Sequence, residues 1–208
     1  MKILVVAATE AEIRPFLDTN PACDVLITGV GMVATTYQLT RKLSAEKYDL
    51  VINVGIAGSF DGSIELGSVV EVISDGFPEL GAEDGENFID LFSMGFVSPD
   101  DAPFKNKRLE NSFLMEELPK VGGITVNKVH GNEVSIAKAL KLFPAEVESM
   151  EGAAFFYVCL SEGVKCVQLR SISNYVERRN RESWNIPLAI KNLNAELKRL
   201  TDRYIQIK

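Results

Sequence analysis

The chain of 208 residues is poor in the side chains that most often announce a special chemistry: one histidine, one tryptophan and three cysteines. Cys23, Cys159 and Cys166 stand at no metal-ligand spacing and make no even disulfide framework. Two of them lie in apolar runs, where a free thiol behaves as a small hydrophobe, so a reducing compartment is expected. Basic residues are outnumbered, 22 Lys and Arg against 29 Asp and Glu. The net charge of −7 opposes a phosphate-backbone partner, which needs Lys and Arg gathered on one face. Arg178, Arg179 and Arg181 form a basic cluster too small for a nucleic-acid footprint. No apolar run approaches the ~20 residues of a membrane span. The first such run, Ile3–Ala8, meets Glu10, Glu12 and Arg14 at once and is too short for a signal peptide. A cytoplasmic protein without nucleic-acid or membrane partners is expected. No repeat, linker or low-complexity block divides the sequence, so residues 1–208 are read as one domain.

Short apolar, β-branched runs alternate with segments of helical period. Ile3–Ala8, Asp24–Thr28, Asp49–Val54, Val69–Ile73, Ile124–Val129 and Cys166–Ile172 read as strands. Glu10–Leu17, Gly31 to about Ala45, Glu133–Phe143 and Glu151–Glu162 read as helices, the last capped by Gly163. Ile186, Ile190, Leu193, Leu197, Leu200 and Tyr204 draw one apolar stripe along a final helix. This order predicts an α/β fold, a three-layer α/β/α sandwich around a central mixed sheet. Ligands in such folds gather at the carboxyl ends of the strands. Ser74–Phe113 lacks steady periodicity and is expected to be a lid, a binding loop or an interface.

Gly29-Val30-Gly31-Met32-Val33-Ala34 matches the relaxed dinucleotide fingerprint, with Asp49 twenty residues beyond Gly29. Two features weaken that reading. The turn follows the second strand, and Asp49 precedes its strand rather than following it. A tight strand-to-helix turn is the better account, and no nucleotide cofactor is expected.

Polar residues at the strand ends are harder to dismiss. Glu10 and Glu12 follow the first strand, Met150-Glu151-Gly152-Ala153-Ala154 opens a helix, and Arg170-Ser171-Ile172-Ser173-Asn174 closes the last strand. Each has a structural explanation. Glu12 fits a solvated helix face, Glu151 fits a helix N-terminus by its charge, and Asn174 fits a turn cap. His130, in Val129-His130-Gly131-Asn132-Glu133, reads as structural before it reads as catalytic, and Trp184 reads as core or interface.

Taken in order, these residues resemble the nucleoside phosphorylase/nucleosidase superfamily over Met1–Ile13, Gly29–Ala34, Ile52–Gly58, Leu66–Val70, Val147–Ala154 and Arg170–Asn174. Within it, Val147–Ala154 and Arg170–Pro187 look most like the futalosine hydrolase family of menaquinone biosynthesis, which releases hypoxanthine from futalosine. The resemblance implies a purine nucleoside substrate, no metal, no organic cofactor and a homo-oligomer, with the Ser74–Phe113 loop a candidate for the contact. It makes Glu12 the base that activates water, and puts Met150 and Glu151 at the ribose, where a carboxylate that stays ionised would face an oxocarbenium-like sugar. It also brings Ile56, Ala57, Gly58, Val129, His130 and Arg170 to the substrate.

Asn174 departs from the pattern. Adenine-releasing nucleosidases hold there an Asp that protonates the base, whereas an amide only donates an N–H, which suits a 6-oxopurine. Futalosine carries a benzoate on its 5′ side that calls for a cation, so Arg179 joins the substrate-binding candidates; a solvated loop paired with Glu177 and Glu182 is the plainer reading. Phosphorolysis is disfavoured, because Glu10 and Glu12 occupy the loop where a phosphate would need Gly and Arg. Other purine nucleosides, of the methylthioadenosine/adenosylhomocysteine or inosine type, and an inactive nucleoside-binding module stay open.

Overall fold

A computed structural model describes residues 1–115 and 117–206. The strands are β1 Ile3–Ala7, β2 Asp24–Ile27, β3 Leu50–Ser59, β4 Val69–Asp75, β5 Gly81–Asp84, β6 Asn87–Asp90, β7 Leu109–Glu110, β8 Lys120–Thr125, β9 Val147–Ser149 and β10 Cys166–Tyr175. The helices are α1 Glu10–Leu17, α2 Met32–Ala45, α3 Glu133–Leu142, α4 Gly152–Ser161 and α5 Ile186–Gln206. As expected, the sheet is mixed and covered on both faces. The apolar stripe of α5 joins Ile13 and Phe16 of α1 on one face, over Val5, Ile52 and Leu169. On the other, Leu39 and Leu43 of α2 and Phe155, Phe156 and Cys159 of α4 pack on Val6, Val51 and Val72. Gly163 ends α4 at φ +64°, the left-handed conformation that glycine adopts without steric cost.

The sheet also bonds back upon itself. β3 lies parallel to β1 along one edge and to β10 along the other. β1 stops at Ala7, opposite Val54, so the distal half of β3 has a vacant edge. β9 takes that edge antiparallel, pairing Gly58 with Glu148 and Ser59 with Val147. From β9 the ladder runs through β8 and β4 to β10, and so returns to β3. The parallel strands β1, β3 and β10 all end toward this closed portion, which puts the candidate residues around one opening.

Three expectations need correction. The strand expected at Asp49–Val54 does not stop at Val54; Gly55-Ile56-Ala57-Gly58 continues β3, because β10 and β9 supply partners for the extra length. The strand expected at Ile124–Val129 is β8, Lys120–Thr125, since Gly122 and Gly123 are tolerated where β4 and β9 pair with them; Val129 and His130 therefore lie beyond the strand. Asn174 sits within β10 rather than in the turn after it. Ser74–Phe113 completes β4, then forms the β5–β6 hairpin and the short β7.

Candidate active site

At the carboxyl ends of β1, β3 and β10 a cavity of about 370 Å³ opens, lined among others by Glu12, Ile56, Gly58, Met150, Glu151 and Asn174. That size falls within the roughly 300–1,000 Å³ of small-ligand pockets.

Glu12 is held from both sides. Thr9 and Glu12 form the reciprocal capping box of α1: Glu12 Oε2 accepts from Thr9 N (3.1 Å) and Thr9 Oγ1 (2.8 Å). Its other oxygen accepts from Ile56 N at 3.2 Å. Asn194 of α5 donates to the Glu12 carbonyl (2.8 Å) and accepts from Phe16 N (3.0 Å), anchoring the helix that carries the carboxylate.

Glu151 caps α4 by position but not by bonding. Instead its Oε1 accepts from Gly31 N at 2.9 Å. The glycine turn read as a possible dinucleotide motif thus has a different use. Gly31, at φ +94°, aims its amide at a carboxylate from the far end of the chain. Glu151 is only 9% exposed. Burial pushes its pKa above the ordinary carboxylate value, the Arg170 guanidinium and the Gly31 amide pull it back, and the charge of Glu12 opposes them. The simple expectation of an ionised carboxylate is therefore tempered by its burial.

Arg170 does not line the cavity; it lies beneath it, 1% exposed. Nη2 donates to Asn53 Oδ1 (2.5 Å) and Nε to Gln168 Oε1 (3.2 Å). Burial lowers its pKa, and the charges of Glu151, Glu12 and buried Asp75 raise it again. Its place is that of a buried counter-charge, which positions the two cavity carboxylates rather than touching a ligand. A Cβ on Gly55 would stand 2.6 Å from Arg170 Nη1, so only glycine fits over the guanidinium. Gly152 is constrained likewise, because a Cβ there would meet Gln168 Oε1 at 2.2 Å and Asp75 Oδ2 at 2.3 Å.

Asn174 Oδ1 accepts from Ser173 Oγ (2.8 Å) while Nδ2 donates to the Tyr175 carbonyl (3.0 Å). An amide nitrogen carries two N–H groups, so one is left for a ligand. Val129 and His130 line the same space. His130 is bound twice to Glu148, through its backbone N (2.9 Å) and through Nδ1, a partner that sequence reasoning did not single out. Arg179 lines the rim and stacks over Trp184, 5.2 Å from the ring centroid. Trp184 is thus a cavity residue and not simply core or interface. Among the described residues, no three His, Cys, Asp or Glu side chains gather as a metal site would require.

The sequence matches the model of the Phosphorylase superfamily over residues 22–206. The chain belongs to that superfamily. It is 34% identical over 175 residues to the futalosine hydrolase of Acidothermus cellulolyticus, a match that covers 82% of this chain and 71% of that one. Its fold is similar to that of the futalosine hydrolase of Helicobacter pylori (TM-score 0.80, 20% identity, 98% of each chain). A similar likeness links it to the 5′-methylthioadenosine/S-adenosylhomocysteine nucleosidase of Colwellia psychrerythraea in complex with adenine (TM-score 0.78, 20% identity, 98% of this chain and 95% of that one). Among the described residues no helix is long and apolar enough to cross a membrane.

Proposed function

We propose that this enzyme, a hydrolase of N-glycosyl bonds, cleaves futalosine to hypoxanthine and the dehypoxanthinyl product, a step of menaquinone biosynthesis in the cytoplasm. The observation that carries the reading is the pair Glu12 and Glu151, drawn from opposite parts of the chain onto one cavity. Backbone N–H groups fix both carboxylates, and a buried arginine lies beneath them. Breaking an N-ribosidic bond develops positive charge on the sugar, which two carboxylates in a site of low dielectric favour. Glu12 takes a proton from water as it attacks C1′. Glu151 accepts from ribose hydroxyls, and Met150 packs under the sugar. Asn174 donates to the purine at N7 or O6, which suits hypoxanthine and offers adenine nothing at its amino group. Ile56, Ala57, Gly58 and Val129 complete the wall of the cavity. Arg179 receives the benzoate at the rim.

A second copy of the chain is part of the proposal. Val30 of the cavity mouth continues into Val33 and Tyr37 of α2, which leave apolar surface exposed, and Val33 is 83% accessible. Sedimentation of the purified protein reads the assembly directly.

Incubating the protein with futalosine, with and without phosphate, tests the reaction. Hypoxanthine released equally in both supports hydrolysis. Release that needs phosphate points to phosphorolysis, and release of adenine from methylthioadenosine in preference to hypoxanthine from futalosine overturns the substrate. No product from any purine nucleoside leaves a binding module.

A further inference from the structure

An amide cannot deliver a proton, so Asn174 leaves the departing base without an acid. The sheet supplies one nearby. Asn174 of β10 pairs with Gly58 of β3, and Gly58 pairs with Glu148 of β9, so the three stand in one row across neighbouring strands. Residues in register point to the same face, and two strand spacings separate the outer pair by roughly 10 Å. The middle member has no side chain. A Cβ on Gly58 would come within 3.1 Å of Asn174 Nδ2 and 2.7 Å of Val176 Cγ2. The row therefore forms a slot with Asn174 on one side and Glu148 on the other, all three lining the cavity.

Glu148 carries His130. One carboxylate oxygen takes the His130 backbone N–H and the other takes Nδ1, while the Phe60 ring stands edge-on at 6.4 Å. Among the described residues Nε2 has no hydrogen-bond partner, and none of their fully buried side-chain nitrogens goes without one, so Nε2, in a residue that lines the cavity, is not fully enclosed. A carboxylate on Nδ1 orients an imidazole and stabilises its protonated form, which leaves Nε2–H to act as the acid.

We propose that His130, oriented by Glu148, is the catalytic acid that protonates the leaving purine; this rests on the nucleoside hydrolysis proposed above. The C1′–N9 bond breaks with its electron pair moving into the purine, and Nε2–H passes its proton to N7. Water bonds to C1′ through oxygen and gives one proton to Glu12. Hypoxanthine leaves neutral, and the proton on Glu12 returns through solvent to His130, so the enzyme is restored.

The groups around the ring bear on its charge. Hydrogen bonding to Glu148 raises the His130 pKa above the ordinary value, burial opposes it, Glu79 in the segment after β4 adds to the rise, and Lys128 on its own segment opposes it. Glu177 and Arg179 line the same cavity, and Glu83, Glu86, Lys138 and Lys141 line a second hollow that His130 also borders. The rise keeps the acid form in hand nearer neutral pH.

The test compares futalosine with its N7-methyl derivative, whose base is already cationic and departs without a proton. His130→Gln is expected to slow release of hypoxanthine from futalosine by roughly 10²–10⁴-fold, while cleavage of the methylated compound stays close to that of the wild type. Equal losses on both substrates would mark a structural role, and no loss on either would end the idea. The single histidine also gives one imidazole signal by NMR. Its titration midpoint is expected above about 6.5, and kcat/KM should fall as pH rises through it. Glu148→Gln should move midpoint and limb together to lower pH. A limb that stays put while the midpoint moves overturns the assignment, whatever the folding of the His130 variant. Wild-type protein that frees no hypoxanthine from any nucleoside refutes the hydrolase reading and the acid with it; turnover indifferent to His130→Gln refutes the acid alone.

Discussion

The two ends of the cavity are built on opposite principles. At the floor, Glu12 and Glu151 are each held by an amide from another element, over an arginine that is 1% exposed. At the rim, Glu177, Arg178 and Arg179 are exposed, and Arg179 and Arg181 stack on Trp184. Charges at the floor act in a low dielectric with little freedom to relax, whereas those at the rim are screened by solvent over about 8–10 Å. Chemistry common to many nucleosides belongs at such a floor, and choice among substrates belongs at such a rim. Substitutions at the floor should therefore change turnover, and those at the rim should change KM.

The largest effect is expected from Glu12→Gln. Loss of the water-activating base should lower kcat by on the order of 10²–10⁴ while ligand binding persists, because the base acts mainly in the transition state. Single-turnover kinetics with an independent binding assay separate the two. A variant that turns over normally would move the base to Glu10 or elsewhere. Glu151→Gln comes next, since it removes the counter-charge to the sugar and leaves Arg170 with one carboxylate fewer. The 2′-deoxy substrate should be poor for the same reason, and equal rates on ribo and deoxyribo substrates would remove Glu151 from the ribose.

This contrast also explains how much could be read from the chain alone. Helix α5 was legible from one apolar stripe, and Glu12, Glu151 and Asn174 from polar residues at strand ends, with Met150 beside Glu151; all four line the cavity. The sequence Thr9-Glu10-Ala11-Glu12 carries a capping-box pattern that would have pointed to Thr9. Gln168 and Arg170 alternate with apolar residues in β10, the mark of a polar buried face, although the resemblance implies a ligand contact for Arg170. What stayed hidden depends on tertiary register. Nothing local to Glu148 says that it meets His130, and nothing in Gly55–Gly58 says that the strand continues, because both follow from the edge that the short β1 leaves vacant.

Between floor and rim lies Asn174. Asn174→Asp should weaken action on hypoxanthine nucleosides, since an ionised carboxylate repels O6, and should raise action on adenine nucleosides from a low level. The hydroxyl of Ser173 is already placed to donate to the new carboxylate, so little rearrangement is needed. Competition between inosine-type and adenosine-type substrates measures the ratio. A ratio that does not move means that Asn174 does not face the base.

The smallest effect, and the sharpest test of the contrast, is at Arg179. The geometry divides the basic cluster: Arg179 lines the cavity, whereas Arg178 and Arg181 do not. Trp184 stacks on one face of its guanidinium, and among the described residues the planar N–H fork has no hydrogen-bond partner, so a carboxylate can reach it. Arg179→Ala should raise KM for futalosine about tenfold, equivalent to ~1.4 kcal/mol, a modest figure because an exposed charge pair is screened. kcat should hold, since the benzoate lies far from C1′, and inosine, which has no carboxylate, should be handled as before. Arg179→Lys should recover part of the loss by charge but not the forked geometry, and Arg178→Ala should change neither substrate. If Arg179→Ala weakens inosine as much as futalosine, the residue supports the wall through Trp184 rather than holding a carboxylate. If it changes nothing, the 5′ substituent is received elsewhere, for example by the Ser74–Phe113 segment or a second copy of the chain, and the rim loses its claim to selectivity.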